Sequence, residues 1–159
     1  MLHHISISVK NPQHVANVMA EIMHGTVVPF SPNPGGYMML VGDEFGTGIE
    51  FYPLGSELIP DKWEGQAGFQ MNEHPANYTS VHAAISVPLT IEEIERIGAR
   101  EGWRMLPCSR NDIFDVVEFW LENRLMLELL TPEMTAKYLD ATSQQKLAQR
   151  ANSVAGGRT

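Results

Sequence analysis

Polar and hydrophobic residues alternate strictly from His4 to Val9, which predicts a β-strand at the start of the chain. Apolar residues occupy odd positions on one face, and the opposite face carries His4, Ser6 and Ser8. From Pro12 the apolar residues recur every three or four positions, so a helix is expected there, with Gly25 as its stop. Three further strands are predicted at 26–30, 37–41 and 48–52.

The second half of the chain repeats this order. A strand is predicted over 80–87, and Thr90 with Glu93 forms a capping box for the helix that follows. Strands are then expected at 104–108, 114–121 and 125–130. Thr131 and Pro132 begin a final helix that we expect to reach about Arg150, and a frayed tail follows it.

The repeated order predicts an α+β fold with two βαβββ modules that form a curved mixed sheet cleft, plus a C-terminal helix. We assign 1–53 to the first module, 54–79 to a linker, 80–131 to the second module and 132–159 to the C-terminal helix and tail. The linker is rich in Pro, Gly and polar residues without periodicity, and it has room for a short helical turn. In each module the helix covers one sheet face, and the other face becomes a cleft wall.

A histidine and a glutamate recur at the same place in both modules. His82 lies 78 positions after His4, and Glu128 lies 78 positions after Glu50. Each histidine opens a strand-like segment, and each glutamate lies in an apolar one. The phase of the first strand directs His4 toward the cleft. Two nitrogen and two oxygen donors from a duplicated module are what a divalent metal site needs.

Burial strengthens this interpretation, because both glutamates are surrounded by apolar neighbours. An unpaired buried carboxylate is so unfavourable that it must be protonated, paired or coordinated. Arg124 is in phase with Glu128 and could pair with it, whereas no Lys or Arg lies within three residues of Glu50. A single cation bound by both carboxylates would compensate the buried negative charge of each. Mixed nitrogen and oxygen ligation suits Ni, Co, Zn, Mn or Fe.

The other reactive side chains have simpler interpretations. His3 competes with His4 but is out of phase with the polar face, and His24 suits the C-terminal end of a helix dipole. His74 lies in the linker without an assigned role. Cys108 has no evident catalytic histidine near it, so a structural cysteine is expected.

Composition excludes several functional classes. The 159-residue chain has a formal net charge of −8 and no basic cluster, which argues against nucleic acid or an anionic membrane as the partner. It has no long apolar run, no signal-peptide pattern and a single cysteine, so a soluble cytoplasmic protein is expected. The sequence has no phosphate-binding glycine loop, so a nucleotide cofactor is not expected.

The segments Leu2–Asn11 and Asp43–Glu50 resemble the first strand and the Asp-x-x-Gly-x-x-x-Glu motif of the vicinal oxygen chelate superfamily. This superfamily includes glyoxalases, bleomycin resistance proteins and extradiol dioxygenases, and the resemblance covers about residues 2–132. It implies one divalent metal held by four protein donors, with two coordination positions left for water or substrate oxygens; the donors are His4, Glu50, His82 and Glu128. It also implies a homodimer, with each site either within one chain or shared across the interface.

The resemblance implies a glyoxalase I-like, metal-dependent lyase or isomerase that chelates adjacent oxygens of a small substrate and moves a proton through an enediolate. Glu128, and secondarily Glu50, would be the catalytic carboxylates. Ser8 stands where glutathione-using relatives carry Arg, which argues against glutathione as part of the substrate. The alternatives are a non-catalytic small-molecule binding or resistance protein and an Fe(II) extradiol-type dioxygenase.

Overall fold

The computed structural model describes residues 2–148, which contain ten strands and three helices in a repeated order. The elements of the first part are β1 (His4–Val9), α1 (Pro12–Met23), β2 (Thr26–Phe30), β3 (Gly36–Leu40), β4 (Gly48–Pro53), β5 (Ser56–Ile59) and β6 (Gly68–Met71). The elements of the second part are β7 (Ala84–Ser86), α2 (Ile91–Glu101), β8 (Met105–Arg110), β9 (Phe114–Leu121), β10 (Leu125–Leu130) and α3 (Pro132–Ala141). Among residues 2–148, no helix has the length and apolar character needed to cross a bilayer.

Two four-stranded sheets carry the repeat. Their strand orders are β1-β4-β3-β2 and β7-β10-β9-β8, and a separate hairpin pairs β5 with β6. β1 runs parallel to its neighbour β4, and β7 runs parallel to its neighbour β10. The other strand pairs of the two sheets are antiparallel. Ser6 pairs with Glu50 and Ala84 pairs with Glu128, so both modules use the same register. The predicted α+β architecture of two βαβββ modules with a C-terminal helix is therefore confirmed.

Local sequence signals determine where the first helix begins and ends. The side chain of Asn11 accepts a hydrogen bond from the backbone N–H of His14 at 3.2 Å, and Pro12 occupies the first turn. His24 closes the helix in the left-handed region with φ 54°. The apolar stripe of α1 then packs on β3 and β4. This stripe fixes the helix side of the first sheet and leaves the other side open.

The second helix has the predicted capping box. The hydroxyl of Thr90 accepts from the backbone N–H of Glu93 at 3.3 Å, and the Glu93 carboxylate accepts from the backbone N–H of Thr90 at 2.9 Å. Gly102 ends the helix with φ 66°, a conformation that glycine adopts without strain.

The two modules share one apolar core and are joined by polar contacts at its edge. The Glu122 carboxylate in the β9–β10 turn accepts from the backbone N–H groups of Lys10 and Asn11 at 2.6 and 2.8 Å. Arg100 on α2 forms a bidentate pair with Glu21 on α1, at 3.0 and 2.7 Å. The end of β1 is therefore held against the second module.

Three elements differ from the sequence prediction. The interval between the modules contains the β5–β6 hairpin, not a short helical turn. The strand predicted at 80–87 is reduced to Ala84–Ser86, so His82 precedes it. The final helix ends at Ala141 with Thr142 as its cap, and helical geometry resumes at 144–148. The predicted end near Arg150 and the tail lie outside the described residues.

Candidate functional site

The first candidate half-site lies on the open face of the β1-β4-β3-β2 sheet. Ile49 and Phe51 point into the core, so the alternation of β4 turns Glu50 toward the opposite face. Glu50 is nevertheless only 7% exposed. Its Oε2 accepts hydrogen bonds from the hydroxyls of Ser6 at 2.6 Å and Tyr52 at 2.5 Å. Its Oε1 lies 4.0 Å from Nε2 of His4. His4 and Glu50 are therefore brought together as predicted.

Tyr52 orients the Glu50 carboxylate and shields it from water. Its ring lies between Phe30 and Phe69, with ring centroids 5.5 and 5.3 Å away. Burial, together with the hydrogen bond to Glu50, raises the pKa of Tyr52 to about 12. The phenol therefore stays a neutral donor at ordinary pH. Phe69 belongs to β6, so the unpredicted hairpin helps to close this half-site.

The second half-site contains Glu128 on β10, and its partner differs from the one expected. Oε1 of Glu128 accepts from Nε and Nη2 of Arg110 at 2.9 and 2.5 Å. Nη2 of Arg110 also contacts Oε1 of Glu118 at 3.0 Å. The suggested pairing of Arg124 with Glu128 is therefore wrong. Arg110 lies two strands away on β8, and its long side chain reaches across β9.

The guanidinium of Arg110 offsets one of the two carboxylate charges in this cluster. Burial alone would raise the pKa of Glu118, but hydrogen bonds from Arg110 and Trp120 outweigh it and lower this pKa. The hydrogen bond to Glu128 raises the pKa of Arg110 above its already high value. Burial raises the pKa of Cys108, consistent with the structural role that we expected for this thiol.

His82 lies just before β7 and is exposed. Its Nδ1 is 3.3 Å from the carbonyl oxygen of Ser80, and its Nε2 has no hydrogen-bond partner among residues 2–148. In this part of one chain, no three His, Cys, Asp or Glu side chains are grouped closely enough to hold a metal ion. The structure thus joins His4 to Glu50 but does not bring all four predicted ligands together in one protomer.

The donor chemistry of each half nevertheless suits a divalent ion. Glu50 presents Oε1 and Glu128 presents Oε2, and neither oxygen accepts a hydrogen bond from the described residues. In each case the other oxygen is held by two donors, as outer-shell groups hold metal-binding carboxylates. His4 and His82 are both exposed, with Nε2 of His82 available. His4 and Glu50 therefore suit one half of a metal site, and Glu128 offers a further carboxylate oxygen from the second module.

A cavity of about 400 Å³ adjoins the first half-site, and sequence reasoning missed it. Ser6, Ser8 and Tyr52 form one part of its wall, and Arg124 forms another. Arg124 is only 5% exposed. Its Nη1 and Nη2 donate to the carbonyl oxygens of Ser8 and Ala76 at 3.3 and 3.0 Å, and its buried Nε has no partner among the described residues. Tyr52 could have been suspected, since it is in phase with Glu50, whereas the phase of Arg124 pointed to Glu128 and not to this cavity.

A second cavity of about 820 Å³ lies at the opening between the modules. His3 and His4 line it on one side, and the segment Ala83–Ser86 lines it on the other. Nδ1 of His3 is 2.5 Å from the carbonyl oxygen of Phe45, so the His3 ring is held by this contact and not by Glu50. His4 is therefore the histidine of this pair that faces the carboxylate.

The fold matches those of solved structures in the vicinal oxygen chelate superfamily. The fosfomycin resistance protein FosX from Listeria monocytogenes, complexed with Mn(II) and sulfate, has a TM-score of 0.54 and 14% identity, covering 90% of this chain and 98% of that one. A glutamate-to-glutamine mutant of that protein, complexed with Mn(II) and 1S,2S-dihydroxypropylphosphonic acid, has a TM-score of 0.51 and 16% identity, covering 81% and 87%. A putative glyoxalase family protein from Bacillus anthracis has a TM-score of 0.52 and 12% identity, covering 81% and 92%.

No family model matches the sequence, and no curated protein matches it either. The structural matches confirm that the chain has the vicinal oxygen chelate fold that its sequence resembles. At these identities they establish the fold alone, and the chemistry has to be argued from the residues of this chain.

Proposed function

We propose that this protein is a divalent-metal-dependent enzyme of the glyoxalase type, a lyase or isomerase acting on a small substrate with two adjacent oxygens. The observation that carries the proposal is the environment of Glu50. This carboxylate is buried, has no Lys or Arg partner among residues 2–148, and directs its free oxygen toward His4. The hydroxyls of Ser6 and Tyr52 orient the Glu50 carboxylate but do not neutralise its negative charge. A bound cation would neutralise it.

The complete site needs a second copy of the chain. His4 and Glu50 lie on one open sheet face and Glu128 lies on another, which leaves each half with too few donors. We propose a homodimer in which His4 and Glu50 of one protomer join His82 and Glu128 of its partner. The His4 side chain is 53% exposed, which keeps it accessible to such a partner.

The two glutamates would have different roles. Ser6 and Tyr52 hold Glu50 in one orientation, which suits a fixed ligand. Glu128 keeps Oε2 free of donors, while Arg110 holds Oε1, which suits a base that moves a proton between neighbouring substrate carbons. When bound, Ni, Co, Zn, Mn or Fe would act as a Lewis acid on the substrate oxygens.

Metal analysis followed by an activity panel tests this proposal. The protein would be loaded separately with each of the five metals and assayed with α-ketoaldehyde adducts of glutathione and of other thiols. A phosphonate epoxide and a catechol with oxygen would complete the panel. We expect proton-transfer turnover with an α-ketoaldehyde adduct. Turnover of the epoxide would indicate a hydrolase and not a lyase. Oxygen uptake with the catechol would indicate a dioxygenase.

Two variants separate the roles of the glutamates. Glu128→Gln should reduce turnover by at least about a hundredfold, the lower end of a positioned base's contribution, and leave the fold intact. Glu50→Gln should mainly weaken metal binding. Glu73→Gln is the matched control, because Glu73 is exposed and forms no ion pair among the described residues. An unchanged rate in Glu128→Gln would contradict the mechanism.

A non-catalytic binding protein is the second candidate, and the Arg110 cluster favours it. Arg110 already pairs with both Glu128 and Glu118, so one of the two negative charges of the second half-site is offset without a metal. Stoichiometric binding of a small molecule by metal-free protein, without turnover of any panel substrate after metal loading, would establish this alternative.

A further inference from the structure

The cavity beside Glu50 is lined by a buried cation, Arg124, that has no counter-charge among residues 2–148. Arg124 lies in the short turn that connects β9 to β10, and its side chain lines the cavity wall. Within the described part of the chain, its hydrogen bonds go only to two backbone carbonyls, those of Ser8 and Ala76. Its Nε is sealed from solvent and has no acceptor among residues 2–148. Nη1 and Nη2 each carry a second N–H, so the guanidinium retains donors besides the sealed Nε.

No carboxylate among residues 2–148 lies within ion-pair distance of Arg124. Glu57 is the acidic residue in the cavity wall, and its two oxygens accept from the amides of Gln70 and Asn72, each at 2.8 Å. A buried charge that lacks an ionic partner is strongly destabilising, and peptide carbonyls compensate it only in part. An anion entering the cavity would supply the missing charge.

We propose that this cavity binds a small oxyanion, a carboxylate or phosphonate group, with Arg124 as its anchor. A guanidinium suits either group because its planar fork can donate two parallel hydrogen bonds. A volume of about 400 Å³ accommodates a small organic acid. Three hydroxyl groups of the wall donate to no acceptor among residues 2–148 and can donate to an anion; they belong to Ser8, Tyr78 and Thr79.

The position of the cavity connects this subsite to the reaction. Ser6 and Tyr52 line the cavity, and the same two hydroxyls donate to Glu50. An acid group held by Arg124 therefore directs the rest of a small molecule toward the first half-site. This assignment to the substrate rests on the proposed function and narrows it to anionic substrates. Anion binding itself depends only on the cavity.

Titration of metal-free protein with methylphosphonate and with acetate, in EDTA at constant ionic strength, tests the subsite. Amide chemical shifts in NMR spectra would follow binding, and chloride serves as the background anion. We expect saturable shifts in residues lining the cavity, and at least a tenfold weaker Kd in Arg124→Met. Arg96→Met removes the same charge from an exposed site and should leave the Kd unchanged.

Ala76→Trp keeps the subsite testable if Arg124→Met fails to fold. Ala76 is exposed and lines the cavity, so a large side chain obstructs the space while the backbone carbonyl still accepts from Arg124. We expect Ala76→Trp to weaken binding of the preferred anion at least tenfold. Preference for methylphosphonate or for acetate would identify the acid group. Absence of saturable binding, or equal affinity in wild type and Ala76→Trp, would overturn the proposal.

The metal-free design separates this proposal from the proposed function. If the protein binds metal but shows no saturable anion binding, the subsite is rejected and the proposed function is retained. Saturable anion binding by a protein that takes up no metal would retain the subsite and reject the enzyme.

Discussion

Tyr52→Phe removes the phenol that donates to the buried Glu50 carboxylate at 2.5 Å. A hydrogen bond to a charged group contributes about 1.5–3 kcal/mol, and Ser6 continues to donate to the same oxygen. We therefore expect the free energy of unfolding at pH 7 to fall by about 2 kcal/mol. For a domain of this size, that loss corresponds to a decrease in Tm of about 4–8 °C.

The pH dependence gives this prediction a second, independent signature. The pKa of Tyr52 is raised from 10.0 to about 12, so the native state retains this proton where the unfolded state has released it. Stability from this group is fully present below pH 10.0 and is lost as the pH rises toward about 12. The contribution of Tyr52 to wild-type stability should fall by about 2–3 kcal/mol in total as the pH rises from below 10.0 to beyond about 12, at no more than about 1.36 kcal/mol for each pH unit.

Urea denaturation between pH 7 and pH 12 measures both effects. The wild-type and Tyr52→Phe curves of unfolding free energy against pH should differ at pH 7 and converge at high pH. Tyr78→Phe is the matched control, because the Tyr78 hydroxyl takes part in no hydrogen bond among the described residues. Parallel curves for wild type and Tyr52→Phe would refute the contact between Tyr52 and the carboxylate.

Three further substitutions test other parts of the structure. Thr90→Ala breaks the capping box of α2 and should lower the unfolding free energy by about 1 kcal/mol, measured by urea denaturation. Gly25→Ala places a Cβ 2.5 Å from the Met39 sulfur, and we expect a loss of about 1–3 kcal/mol by the same measurement. Arg110→Gln should destabilise the protein by about 1–3 kcal/mol at pH 7, because two carboxylates lose their shared cation. The deficit of this variant should shrink as the pH falls below 4.5, because the wild type then loses stability from the lowered pKa of Glu118; a constant deficit would contradict the pairing.

Local sequence signals predicted the elements whose formation depends on neighbouring residues. The Thr90 capping box, the end of α1 near Gly25 and the alternation of β1 are all short-range patterns, and the structure has all three. The burial of Glu50 also followed from its immediate neighbours. Because the modules repeat the same order of elements, predicting one helped to predict the other.

Contacts between distant residues were not predictable from such patterns. Arg110 pairs with Glu128 across an intervening strand, whereas sequence phase had pointed to Arg124. The segment of the β5–β6 hairpin is rich in turn-forming residues, and its pairing depends on contacts such as that between Tyr52 and Phe69. The shortened β7 pairs with β10 at three positions, from Ala84 with Glu128 to Ser86 with Leu130.

The central claim is that two half-sites from different protomers hold one divalent metal. Two double variants test it: His4→Ala with Glu50→Gln, and His82→Ala with Glu128→Gln. Coexpression with different affinity tags allows the mixed dimer to be isolated, and its metal content can be measured by elemental analysis. The account predicts negligible metal in either double variant alone and about one metal ion per mixed dimer, which has one site with all four donors. Metal retained in either double variant alone, or absent from an intact mixed dimer, would contradict it.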